Sequence, residues 1–279
     1  MHELLSTFYQ QQSHSSRAHA PLLLPLPDHW NDHLKVIEFA FQPVVSRDCK
    51  TIFGTEALLR GYEKAGFKSI KSFFDTAFSE GVLHALDVSL RFLAILQWRS
   101  IFGRSNTRLF YNLDARCVNG DSYEPGQTAA LLQHCQLETG RVYLELSEQH
   151  EILPQKQIEL ILKSYRSQGY FLALDDYGVG FAGLRTLFFT KPEILKIDRF
   201  FIDGINQDVR KQQFMKYLTE FAHAHKIAVV AEGVETPSEI EMCLALGADL
   251  LQGYGIKRPT SHWSEGLTID PVSKDARLH

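Results

Sequence analysis

From Leu34 onward the chain repeats one texture. A short run rich in Val, Ile, Leu and Phe is followed by a longer segment with helical periodicity. The runs are "VIEFAFQPVV", "IFGTEALL", "RLFYNL", "VYLELS", "FLALDD", "EILKID", "AVVAEG" and "LLQGYG". Each is a short, largely apolar run of the length of a buried strand. The intervening segments place apolar residues on one helical face, as Phe214, Leu218, Phe221 and Ala222 do in "DVRKQQFMKYLTEFAHAHK". Strands that alternate with helices without a break in composition predict closure into a (β/α)8 barrel. An open doubly wound sheet is the alternative, but no glycine-rich phosphate fingerprint follows the first strand. The first connection departs from the pattern. Only "SRDCK" separates "QPVV" from "TIFG", too few residues for a helical crossover, so the first two strands are expected to be antiparallel neighbours.

Outside this repeat the sequence is less structured. The stretch "QQQSHSSRAHA" is polar and of low complexity, and "PLLLPLP" is short, broken by proline and lacks a basic lead-in, unlike a signal peptide. Residues 1–34 are expected to form a flexible tail, with docking of a partner as its functional reading. Residues 35–265 are expected to form the barrel and 266–279 a C-terminal tail. No apolar run approaches the length of a membrane span. The formal charge of −4 over 279 residues leaves no basic surplus for general nucleic-acid binding. Cys49, Cys117, Cys135 and Cys243 show no CxxC spacing, which predicts reduced thiols and a cytoplasmic protein. His223 and His225, two apart on a helix, point in different directions and make a poor metal pair.

The polar residues within the strands carry the chemistry. Glu56, Asn112, Glu145, Asp175, Asp176, Lys196, Glu232 and Gln252 each interrupt or end an apolar run. In a barrel the carboxyl ends of the strands converge on one rim, where such folds build their sites. Singly, each acid could be a helix cap or a surface pair. Together they cannot all stay ionised without cations. The side-by-side Asp175 and Asp176 pose the question most sharply, because burying either carboxylate unpaired would cost several kcal/mol. Oxygen donors without clustered His or Cys predict hard divalent ions, Mg2+ or Mn2+. More carboxylates than one ion needs predict two ions about 3.5–4 Å apart, the arrangement used in phosphoryl hydrolysis.

These residues also carry a resemblance. "TEALLRG", "FQPVV", "YNLDA", "LELSE", "LALDDYGVGFAGL", "LKIDRFFI", "VVAEGVET" and "LQGYGIKRP" resemble, in order, the motifs of the EAL family of cyclic di-GMP phosphodiesterases. The match covers about residues 35–260. It implies a modified (β/α)8 barrel with an antiparallel first strand, and hydrolysis of cyclic di-GMP to linear pGpG by water activated between two metal ions. It further implies that Glu56, Asn112, Glu145 and Asp175 hold one ion. Asp175 would bridge to a second, completed by Asp176 and Glu232. Lys196 would position or activate the water, and two dications beside it would push it toward its neutral form. By the same resemblance Arg60, Glu235 and Gln252 contact or orient the dinucleotide, and Glu148 holds the loop after Asp176. A homodimer through the barrel is compatible with it. Several positions depart from the family pattern. Val179 replaces Thr or Ala, Ala182-Gly183 replaces Ser-Ser, Gly61 replaces a frequent aromatic residue, and "QGYGIKRP" lacks an aromatic residue usual in the last motif. The alternative reading is a catalytically silent EAL domain that acts as a cyclic di-GMP receptor or protein-binding module.

Overall fold

The five-residue connection after the first strand is a tight turn, closed by its own side chain. Asp48 accepts from the backbone N–H of Lys50 and Thr51 and from the Thr51 hydroxyl at 2.6 Å, while Cys49 takes a left-handed φ of 57°. β1 (Glu38–Ser46) therefore folds straight back on β2 (Ile52–Arg60) as an antiparallel hairpin. The computed structural model describes residues 23–118, 127–147, 162–179 and 183–263. Its sheet continues through β3 (Arg108–Asn112), β4 (Val142–Ser147), β5 (Phe171–Tyr177), β6 (Ile194–Ile197), β7 (Ala228–Glu232) and β8 (Leu250–Gln252). β2 to β8 are parallel, and β1 closes the barrel antiparallel to both β2 and β8. The modified barrel predicted from the repeat, with its antiparallel first strand, is the architecture observed.

Side chains alternate along a strand with a period of two, and this fixes the barrel's interior in layers. Val44, Phe110, Tyr143, Ala173, Ile194, Val230 and Leu250 form one apolar cluster. Gly54 completes that layer because a Cβ there would stand 2.5 Å from the Phe110 ring. One pleat period along, toward the rim, lie Gln42, Glu56, Asn112, Glu145, Asp175, Lys196, Glu232 and Gln252. The plug of apolar side chains thus supports a polar layer above it. Outside the barrel, two larger apolar clusters pack the helices onto the strands. The twenty-residue helix Leu83–Phe102 is buried along most of its length, and Trp98 donates from Nε1 to the Thr55 hydroxyl at 3.0 Å.

The expected start of the folded unit at residue 35 is corrected. Residues Asp28–Leu34 form a helix. Its Trp30 is fully buried, stacks on Phe67 at 5.9 Å and donates from Nε1 to Glu80 at 2.7 Å. Leu23, Leu26 and Leu34 are buried with it. The polar residues around Trp30 mask a few apolar anchors that pack against the barrel. The expected tails over 1–22 and 266–279 lie outside the described residues. Among the described residues, no helix is long and apolar enough to cross a membrane.

Candidate active site

The polar layer converges on one ammonium group. Lys196, on the four-residue strand β6, is fully buried. Its Nζ lies 2.6 Å from Glu145, 2.8 Å from Asp175, 2.8 Å from Glu232 and 3.3 Å from Glu56. Further contacts tie Glu56 in place. Asn112 Nδ2 donates to its Oε1 at 2.8 Å, and Gln252 Nε2 donates to its Oε2 at 2.6 Å. Gln42, directly opposite Glu56 in the hairpin register, accepts from the same Gln252 amide at 3.4 Å.

Asp175 and Asp176 reach the same site although they are adjacent on a strand. On a regular strand their side chains would point to opposite faces. Asp176 instead has φ of 52°, a left-handed conformation that aspartate tolerates better than most residues. The β5–β6 register shows the consequence. Leu174 pairs with Leu195 and Tyr177 with Ile197, so β5 spends three steps where β6 spends two. This one-residue bulge turns the second carboxylate back toward the site. There Ser147 donates to it from Oγ at 3.1 Å.

The electrostatics follow from so many charges in one buried place. Burial by itself works against the Lys196 ammonium, but Asp175, Glu145, Glu232 and Glu56 together hold it well above the ordinary lysine value. With the chain's own charges alone Lys196 is protonated, and the neutral form expected from the sequence needs the field of dications in addition. Burial, then the Glu56 carboxylate, pushes Glu145 well above the usual carboxylate range. Burial and Asp175 do the same to Glu232. Burial, then Asp175, pushes Asp176 up to about 6.

A carboxyl group raised in the folded state stabilises the fold while it is protonated. The contribution of Asp176 is therefore full below its unfolded value and is lost as the pH rises through about 6. Metal-free Asp176→Asn is expected to lack this loss and to be more stable than the parent at neutral pH. Chemical denaturation of both proteins at acid and neutral pH checks it. An unchanged pH dependence would show that Asp176 is not the group responsible.

The donor set fits hard divalent cations. Glu56, Glu145 and Asp175 each offer an oxygen, and these lie within 4.8 Å of one another. Asp175, Asp176 and Glu232 form a second such triad, so Asp175 belongs to both. Glu145 Oε2 is buried and has no hydrogen-bond partner among the described residues. A buried carboxylate oxygen left in that state is costly unless a cation takes it.

The remaining expected residues are placed less uniformly. Glu235 lines the pocket above the carboxylates, as do Asp176, Glu232 and Gln252. Arg60, at the end of β2, donates to the Leu59 carbonyl and does not line that pocket. Gln252 is buried, with its amide engaged by Glu56. Val179 is exposed just beyond the bulge, and Gly183 opens the helix Gly183–Thr190. Glu148 and Ala182 lie outside the described residues. The sequence reading did not single out Gln42, Ser147, Asp198, Arg199 or Tyr254. Gln42 becomes visible once the hairpin is aligned about its five-residue turn, and the others depend on where the loops run.

Comparison with known proteins gives the family. Residues 31–259 match the EAL domain, and the chain belongs to that family. It is 31% identical over 152 residues to the cyclic di-GMP phosphodiesterase PdeF of Escherichia coli (strain K12), covering 54% of this chain and 20% of that protein. It resembles the standalone versatile EAL protein of Vibrio cholerae O395 in its c-di-GMP-bound form, with a TM-score of 0.68 and 27% identity, covering 80% of this chain and 92% of the other. BlrP1 of Klebsiella pneumoniae, solved as a manganese/cy-diGMP complex, gives a TM-score of 0.72 at 27% identity over 81% of this chain and 56% of its own. The chain spans 20% to 41% of the length of the curated relatives PdeF and PdeB, the latter also from Escherichia coli.

Proposed function

We propose that the chain hydrolyses cyclic di-GMP to linear pGpG, with Mg2+ or Mn2+ as cofactor, in the cytoplasm. The observation that carries this reading is the pair of carboxylate triads that share Asp175 beside a buried lysine. In this reading Glu56, Asn112, Glu145 and Asp175 hold one ion, and Asp175, Asp176 and Glu232 the other. Bound divalent cations would supply a water of lowered pKa and neutralise charge on the phosphate. The chain's own residues do the rest. Asn112 and Gln252 fix the rotamer of Glu56 through the two hydrogen bonds given above, so the first triad is preorganised. Ser147 does the same for Asp176. Lys196 Nζ, which the four carboxylates keep protonated until cations bind, orients the attacking water. Glu235 and Gln252 are assigned to the dinucleotide from the pocket they line. Arg60 is assigned to it by the family resemblance alone, because its side chain lies outside that pocket, and Glu148 by the same resemblance to the loop after Asp176.

Incubation of the purified chain with cyclic di-GMP and manganese or magnesium tests the proposal. Linear pGpG should form, and an excess of chelator should stop its formation. Binding of cyclic di-GMP without turnover would instead establish the silent receptor reading.

A further inference from the structure

We propose that Arg199 binds the second, non-reacting phosphodiester of the cyclic dinucleotide and so selects a substrate with two phosphates over one with a single phosphate. The inference rests on the proposed phosphodiesterase activity and concerns the same pocket. Six carboxylates line that pocket, from Glu56, Asp175, Asp176, Asp198, Glu232 and Glu235. Arg199 is the one cationic side chain among the described residues that line it. A cyclic dinucleotide brings two negative charges. The carboxylate triads account for cations at one phosphate, and the other phosphate needs a positive group elsewhere in the same acidic pocket.

Arg199 is built for that part. Asp198 caps the short helix Arg199–Ile202 by accepting from the Phe200 N–H at 2.7 Å, which fixes the backbone where Arg199 begins. The stem of Arg199 lies against Gly233, where φ is +70° and a Cβ would stand 2.6 Å from its Cβ and Cγ. Only glycine leaves room for the arginine to cross there. The guanidinium is held at its edge by Glu235, 2.8 Å from Nη2, yet the side chain is 53% exposed. A fixed stem and an accessible planar fork suit bidentate phosphate recognition with little ordering cost.

The test uses the full chain and two substrates, cyclic di-GMP and bis(p-nitrophenyl) phosphate, which carries one phosphate. With manganese, Arg199→Ala is expected to lower kcat/KM for cyclic di-GMP relative to the single phosphodiester by about tenfold or more, mainly through KM, as expected for loss of a charge-assisted contact. Arg199→Lys should recover part of the loss. Calorimetric titration of cyclic di-GMP with calcium in place of manganese should show the same weakening without turnover. An equal loss on both substrates, or an unchanged KM, overturns the proposal. So does a loss that vanishes when Arg199→Ala is made on a Glu235→Gln background, because Arg199 would then act only by neutralising Glu235. If the parent hydrolyses neither substrate but binds cyclic di-GMP, the phosphodiesterase reading fails while the calorimetric comparison still decides the role of Arg199. If the parent does not bind cyclic di-GMP at all, both fail.

Discussion

Asp175→Asn is expected to slow cyclic di-GMP turnover by about a hundredfold to a thousandfold, the scale seen when one charge-stabilising group is deleted from a site. Asp175 belongs to both carboxylate triads, so the change weakens both at once while preserving side-chain shape. The metal-free protein should keep close to its parent stability. The variant loses an ion pair with Lys196 at 2.8 Å, but it also loses repulsion from Asp176 and Glu232. Manganese should raise the melting temperature of the parent by mass action and that of the variant much less. Steady-state rates and paired melting curves check this. A variant with near-parent turnover, or with an equal gain from manganese, would show that Asp175 is not the shared ligand.

Lys196→Met should have the opposite signature. Removing the ammonium leaves Glu56, Glu145, Asp175 and Glu232 facing one another with no internal counter-charge. Breaking one side of a buried ion cluster costs about 3–5 kcal/mol. The metal-free variant is therefore expected to be strongly destabilised, and manganese should return more stability to it than to the parent, because no ammonium competes for the same oxygens. Turnover should still be poor, since the group that orients the water is gone. Urea denaturation with and without manganese decides the point. If the metal-free stability is unchanged, Lys196 is not the counter-charge that holds the layer together.

These expectations rest on features that differ in how far the sequence displays them. The eight apolar runs are legible because buried strands need continuous Val, Ile and Leu, and the antiparallel start is legible because five residues cannot cross over. The rim acids are legible because Glu56, Glu145 and Glu232 each stand among apolar neighbours. The state of Lys196 is not, because it depends on four carboxylates from four other strands converging within 3.3 Å of one atom. The helix at Asp28–Leu34 is hidden for a different reason. Its stability comes from Trp30 reaching Phe67 and Glu80, residues far along the chain. Arg199, two residues past the end of β6, carries no sign of a role in the sequence until Gly233 and Glu235 are seen beside it.

The bulge in β5 has a consequence for how such a site can arise. Side-chain exchange on an even strand offers each face every second residue, and no choice of residues can bring two neighbours to the same face. The paired aspartates therefore depend on chain length, with one residue more between Leu174 and Tyr177 than the adjoining strand has over the same span. Deleting that residue would leave every other ligand intact and send one carboxylate out of the barrel. A change in residue count, rather than in residue type, separates a centre with both triads from a centre with one.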